Sequence, residues 1–98
     1  EVLPDVDCVY MTRIQDEYDM SNESGQINYD LFSLFPKDLK LMKADSIILH
    51  PLPRRSEIHP EVDLDPRAMY WRQLRNGLYI RAALMLNIFN QSHRLQEY

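Results

Sequence analysis

The chain has 98 residues, 45% hydrophobic and 27% charged, so it holds one domain at most and a modest core. Eleven basic against fifteen acidic residues give a formal charge of −4, which argues against a dedicated nucleic-acid binder. One cysteine, Cys8, can build neither an internal disulfide nor a cysteine zinc site; a reducing, cytoplasmic setting fits it, with the thiol as filler in an apolar core.

In chain order, the first element expected is a buried strand over 6–12, β-branched and apolar, opening after Pro4. A polar stretch follows, with Asp16-Glu17-Tyr18-Asp19 and the loop Ser21-Asn22-Glu23-Ser24-Gly25. Leu31-Phe32-Ser33-Leu34 reads as a short strand. Pro36 suits a first helical position, with Asp38 in the first turn, Leu39 and Met42 inward, and Lys37, Lys40 and Lys43 as a solvated stripe. Ser46-Ile47-Ile48-Leu49-His50 is a second strand, stopped by Pro51 and Pro53. Asp65 as N-cap and Pro66 at N1 predict a long helix in which Tyr70, Leu74, Leu78, Met85 and Phe89 recur near helical spacing. Gly77 in its interior suggests a close packing contact or a kink.

A helix between two buried strands predicts an α/β fold with a parallel, Rossmann-like sheet and a long C-terminal helix. Two or three strands cannot bury both faces of such a sheet, and the final helix is apolar around most of its second half. An incomplete core follows, a piece of something larger. The first residue, Glu1 rather than Met, agrees with that expectation, and no signal peptide is visible. The longest apolar stretch, 78–89, is too short to span a bilayer and carries Arg81 and Asn87, so no membrane partner is expected.

The chemistry-bearing residues lie beyond the carboxyl ends of the two strands, where ligands bind in open α/β sheets. After the first comes Thr12-Arg13-Ile14-Gln15. Arg13 offers a planar fork for a carboxylate or phosphate, and Gln15 points the same way if the backbone stays extended. Glu17 continues that parity and would brace the guanidinium; a solvated Arg–Glu pair at a strand end is the plainer reading. After the second comes His50-Pro51-Leu52-Pro53-Arg54. Its prolines stiffen the backbone, remove amide donors and leave carbonyls to point outward. A rigid turn explains this segment equally well, and His50 is either a general base or a hydrogen-bonded structural histidine. No metal spacing relates His50, His59, His93 and Cys8, and no cofactor motif is present.

Several of these motifs in register carry a resemblance. Asp7-Cys8-Val9-Tyr10-Met11-Thr12-Arg13-Ile14-Gln15, then His50-Pro51-Leu52-Pro53-Arg54 with Glu57-Ile58, then Val62-Asp63 and Asp65-Pro66-Arg67-Ala68, resemble the aspartate carbamoyltransferase catalytic chain. Tyr70-Trp71-Arg72-Gln73 and Asn76-Gly77-Leu78-Tyr79-Ile80-Arg81 look like its C-terminal helix. The match covers nearly all of this chain and only the last third of the family's.

The resemblance implies the second half of an aspartate-binding domain over 1–64, a helix over 65–90 that returns to an absent carbamoyl-phosphate domain, and a polar tail over 91–98. It implies that Arg13 and Gln15 bind L-aspartate, braced by Glu17. Pro51, Leu52 and Pro53 would hold carbamoyl phosphate through backbone groups, with Leu52–Pro53 cis and His50, Arg54 and Glu57 in support. The implied chemistry needs no metal, cofactor or covalent intermediate, and the implied assembly is a cytoplasmic homotrimer. Arg55-Ser56 and Tyr18 depart from the usual pattern, as does the loop from Asp19 to Asn28. The family's Ser-Thr-Arg-Thr phosphate motif, its mobile lysine loop and a second aspartate-binding arginine are not in this sequence, so these residues alone are not expected to turn over substrate. Two rivals stand beside this reading: an ornithine-type carbamoyltransferase, which usually has cysteine after the histidine and lacks Arg-x-Gln, and a non-catalytic interaction module built on the same fold.

Overall fold

The computed structural model describes residues 1–13 and 28–97. Strand β1 spans Cys8–Tyr10 and strand β2 spans Ile47–Leu49. They pair in parallel, Cys8 with Ile47, Val9 with Ile48 and Tyr10 with Leu49. Flanking bonds from Ile47 N to Asp7 O (3.0 Å) and from Met11 N to Leu49 O (2.9 Å) complete the ladder. Both strands are shorter than their apolar runs. Pro51 has no amide to continue the pairing, and the His50 amide is claimed by a side chain of the C-terminal helix.

The connection from β1 to β2 differs from expectation in two places. Tyr29–Phe32 forms a 3-10 turn, started by the Asn28 side chain accepting from Asp30 N, so only Leu34 pairs, as an isolated bridge to Ile58. The segment after Pro36 is a single 3-10 turn, Asp38–Leu41, and not an α-helix. The Asp38 carboxylate accepts from the Phe35 amide at 2.9 Å, holding that turn at its start. Of the three lysines, Lys37 and Lys40 are exposed, while Lys43 donates to Asp7 (2.7 Å) and to the Asp5 carbonyl (3.0 Å), tying the entrance of β1 to that of β2.

The long helix α1 spans Tyr70–Ile88, beginning five residues after Asp65. Residues 65–69 run beside β2 instead. Ile48 N donates to Arg67 O (2.7 Å), Met69 N donates to Ile48 O (2.9 Å), and Ala68 forms a parallel bridge with Ile48. Satisfying the amide and carbonyl of a fully buried strand residue outweighs early helix entry here. Asp65 caps this turn, accepting from Arg67 N and from the Arg67 guanidinium, which also donates to the carbonyls of Met42 and Lys43. At its far end α1 closes in a Schellman arrangement: Asn90 sits at φ 57, and Gln91 N donates to Leu86 O at 2.7 Å.

The core is one-sided. Leu34, Met42, Ile48, Ile58, Val62 and Tyr70 are buried, with Leu3, Val9, Met11, Leu39 and Ala68 packed against them. Val9 faces this cluster, which turns Cys8 and Tyr10 to the other side of β1, and both are exposed. The placement of Cys8 in the core is therefore corrected: strand alternation puts its thiol outside. Gly77 also needs correction. The nearest side-chain atoms a Cβ there would meet are those of the Arg81 guanidinium, at an ordinary 3.7 Å, and the helix runs through it unbroken.

Candidate functional site

Because β1 and β2 are parallel and in register, the segments that follow them leave the sheet at one edge. Arg13 emerges there from β1 and His50 from β2. His50 is 1% exposed, and both of its ring nitrogens are occupied. Nδ1 accepts from the Leu52 amide at 2.8 Å, and Nε2 lies 2.6 Å from Glu57 Oε1. An amide can only donate, so Nδ1 carries the lone pair and Nε2 carries the proton that goes to Glu57. No ring nitrogen is left to accept a proton from a substrate. Of the two roles open to His50, the hydrogen-bonded structural one is what the geometry shows.

Glu57 anchors the far side of this arrangement. Burial pushes its carboxyl up, but the Arg55 amide (3.1 Å to each oxygen), its own amide and the His50 ring outweigh that and hold it below the usual range. The charged carboxylate thus fixes the histidine tautomer, and the histidine fixes the turn. The Leu52–Pro53 bond is cis, as the resemblance implies, and Leu52 sits at φ 55. A non-glycine residue there is strained by about 1–3 kcal/mol and persists only where its surroundings determine it. The His50 ring bonded to the Leu52 amide is such a constraint.

Arg54 turns away from the edge. Its guanidinium pairs both nitrogens with Asp63, one contact being 2.6 Å, and Tyr70 donates its hydroxyl to the same carboxylate. Burial and the Asp63 charge together push the Tyr70 hydroxyl well up, so it remains a donor. Burial pushes Asp63 up as well, yet Arg54 and Tyr70 hold it below the ordinary range. The guanidinium also lies over the Tyr70 and Trp71 rings, at 5.8 and 5.9 Å from their centres. This cluster locks the outgoing arm of the turn to the start of α1.

The two motifs open into separate grooves. Arg13, half-buried, lines one of about 560 Å³ together with Tyr10, Thr12, Phe32 and Lys37. Pro51 and Leu52 line a second of about 240 Å³ with Tyr10, Gln73, Gly77 and Arg81. Tyr10 is the wall common to both. Gln15 and Glu17 lie outside the described residues. Three residues of the edge, Tyr10, Gln73 and Arg81, lie within the quoted motifs but were given no site role. For Gln73 and Arg81 the signal is spacing, since Gln73, Gly77 and Arg81 recur every four residues and so share one helix face; Tyr10, on β1, carries no such signal.

Residues 1–88 match the family model described as the aspartate/ornithine carbamoyltransferase Asp/Orn-binding domain, and the chain belongs to that family. Among its relatives, the aspartate carbamoyltransferase catalytic subunit of Alkaliphilus oremlandii is 48% identical over 83 residues, covering 85% of this chain and 25% of that subunit. The multifunctional protein CAD of Squalus acanthias is 44% identical over 91 residues, covering 93% of this chain and 4% of that protein. The crystal structure of Trypanosoma cruzi aspartate transcarbamoylase in complex with carbamoyl phosphate superposes with a TM-score of 0.79 at 35% identity, covering 86% of this chain and 27% of that one. The chain therefore spans about a quarter of the single-function relatives it matches. The resemblance stands, and of the expected architecture the structure shows a parallel two-stranded sheet followed by a long helix.

Proposed function

We propose that this chain is the C-terminal part of an aspartate carbamoyltransferase and supplies its L-aspartate subsite. In the reaction the aspartate amine attacks the carbamoyl carbon of carbamoyl phosphate. A C–N bond forms, the C–O bond to phosphate breaks, and the amine loses a proton as N-carbamoyl-L-aspartate and inorganic phosphate are released, a step of pyrimidine biosynthesis. Arg13 grips an aspartate carboxylate with help from Gln15, braced by Glu17. The backbone of Pro51, Leu52 and Pro53 orients the carbamoyl amide and the incoming amine. Holding the two reactants at attack distance and stabilising the charge that develops together supply the acceleration. The observation that carries this reading is the parallel, in-register sheet that delivers Arg13 and the cis-proline turn to one edge.

The division of labour follows the same reading. Residues 1–64 form half of the aspartate domain, 65–90 return to a carbamoyl-phosphate domain contributed by other parts of the enzyme, and 91–98 form a tail. The working enzyme is a cytoplasmic homotrimer. These residues do not turn over substrate by themselves, because phosphate needs convergent donors that they do not carry. Pro51 directly after His50, with Arg13 and Gln15 as an Arg-x-Gln pair, favours aspartate over ornithine.

A chimaera tests this, with residues 1–88 replacing the matching stretch of the Alkaliphilus oremlandii subunit. It is expected to carbamoylate aspartate and not ornithine. Arg13→Ala in that chimaera should raise the KM for aspartate about 10- to 100-fold, the loss of a charge-assisted bidentate contact. A folded chimaera without turnover would favour the non-catalytic module, and ornithine turnover the sister enzyme.

A further inference from the structure

We propose that Gln73 is a positioning residue for the cis-proline turn, acting through His50 and held in place by Tyr10; this rests on the carbamoyltransferase reading. Gln73 stands in the first turn of α1, and its own amide donates to Met69 O at 2.8 Å. Met69 in turn is bonded to Ile48 of β2, so the backbone of Gln73 is referenced directly to the sheet. Its side chain is used at both ends. Oε1 accepts from the His50 amide at 3.0 Å, and Nε2 donates to the Tyr10 hydroxyl at 3.0 Å. The orientation of the carboxamide is dictated by its partners, because a backbone amide facing it must find an oxygen.

The consequence is a chain of determined groups. Tyr10 at the end of β1 fixes the Gln73 carboxamide, which fixes the His50 backbone just past β2. The His50 ring then holds the Leu52 amide at 2.8 Å, and Leu52 is the strained residue of the turn. His50 N is the first amide beyond β2, and Gln73 takes the place of a third strand at that point. Gln73 and the turn line the same groove, so a shift of the carboxamide moves the groove wall and the turn together.

The test uses the chimaera with three variants. Gln73→Leu removes both contacts at similar size. Gln73→Glu keeps an acceptor for the His50 amide, and the Tyr10 hydroxyl can rotate to donate to it. Tyr10→Phe removes only the outer contact. Gln73→Leu is expected to lower kcat per folded active site about 10- to 100-fold, the scale of a slight misplacement of reacting groups, while the KM for aspartate changes little. Gln73→Glu should recover most of that loss, and Tyr10→Phe should fall between. Nitrogen shifts of the His50 ring and the Leu52 amide proton shift are read on the same samples, whether or not they turn over. Gln73→Leu should move them and Gln73→Glu should not. Unchanged shifts in Gln73→Leu, or a Gln73→Glu variant as impaired as Gln73→Leu, would overturn the proposal. An inactive parent chimaera that still shows the shift pattern would instead count against the carbamoyltransferase reading alone.

Discussion

At position 50 a single imidazole settles what kind of edge this is. Its two nitrogens are spent on Leu52 and Glu57, so the histidine organises backbone and does not move protons. Position 77 makes a complementary point. The glycine pays a helix-interior penalty without any neighbour that needs the space, since a Cβ would sit 3.7 Å from the nearest guanidinium nitrogen. Gly77→Ala should therefore stabilise the folded chain by about 1 kcal/mol, read as a higher urea midpoint at unchanged m. A loss of stability would mean that a contact outside the described residues crowds that site.

At the scale of elements, the turn and the start of α1 are pinned by charges whose titration has a definite sign. Burial pushes Glu57 and Asp63 up, but their amide, histidine, arginine and tyrosine partners win and hold both below the ordinary range. The Arg67 guanidinium holds Asp65 down chiefly by its hydrogen bonds. A carboxylate depressed in the folded state adds stability above its unfolded value and loses it as pH falls. These three groups should leave stability flat from neutral pH down to about 5 and erode it below about 4.5, where the unfolded chain takes up protons first. Thermal melts from pH 7 to 3 check this. The Glu57→Gln variant should show a shallower acid slope, and an unchanged slope would remove Glu57 from the account.

The elements also show where patterning succeeded. The two strands and the terminal helix were legible from β-branched runs and helical spacing, while the loop expected at 21–25 lies outside the described residues. The short strand at 31–34 and the helix after Pro36 were not, because Asn28 and Asp38 bond neighbouring amides and close tight turns instead. The start of α1 was read four residues early, since Asp65 and Pro66 carry a helix-start signal that Ile48 overrides by claiming Arg67 and Met69.

For the whole molecule, the expected incomplete core is present. The radius of gyration is 17.5 Å, whereas a compact domain of this length has about 13 Å. The outer surface of α1 is apolar: Leu78, Tyr79, Ile80, Leu84, Met85, Ile88 and Phe89 are each more than half exposed. A contiguous patch of that kind drives association. The isolated chain should bind a hydrophobic dye and sediment above monomer mass, and replacing Leu78, Ile80 and Ile88 with Gln should reduce both. A monomer without dye binding would contradict the patch. Among the described residues no helix is long and apolar enough to cross a membrane.

What the sequence by itself determined is local and chemical. The β-branched runs set the strands, the paired prolines set a stiff turn, the Arg-x-Gln pair put a planar donor at Arg13 just beyond the first strand, and motifs in register named the family. Only the tertiary structure decided the hydrogen-bond partners of Tyr10, Gln73, His50 and Arg54. Whether a polar side chain is free to meet a ligand depends on which buried amide or carboxylate lies beside it, and such neighbours are far apart in the chain. His50 and Gln73 are 23 positions apart, and Gln73 and Tyr10 are 63 apart, distances at which no spacing rule operates.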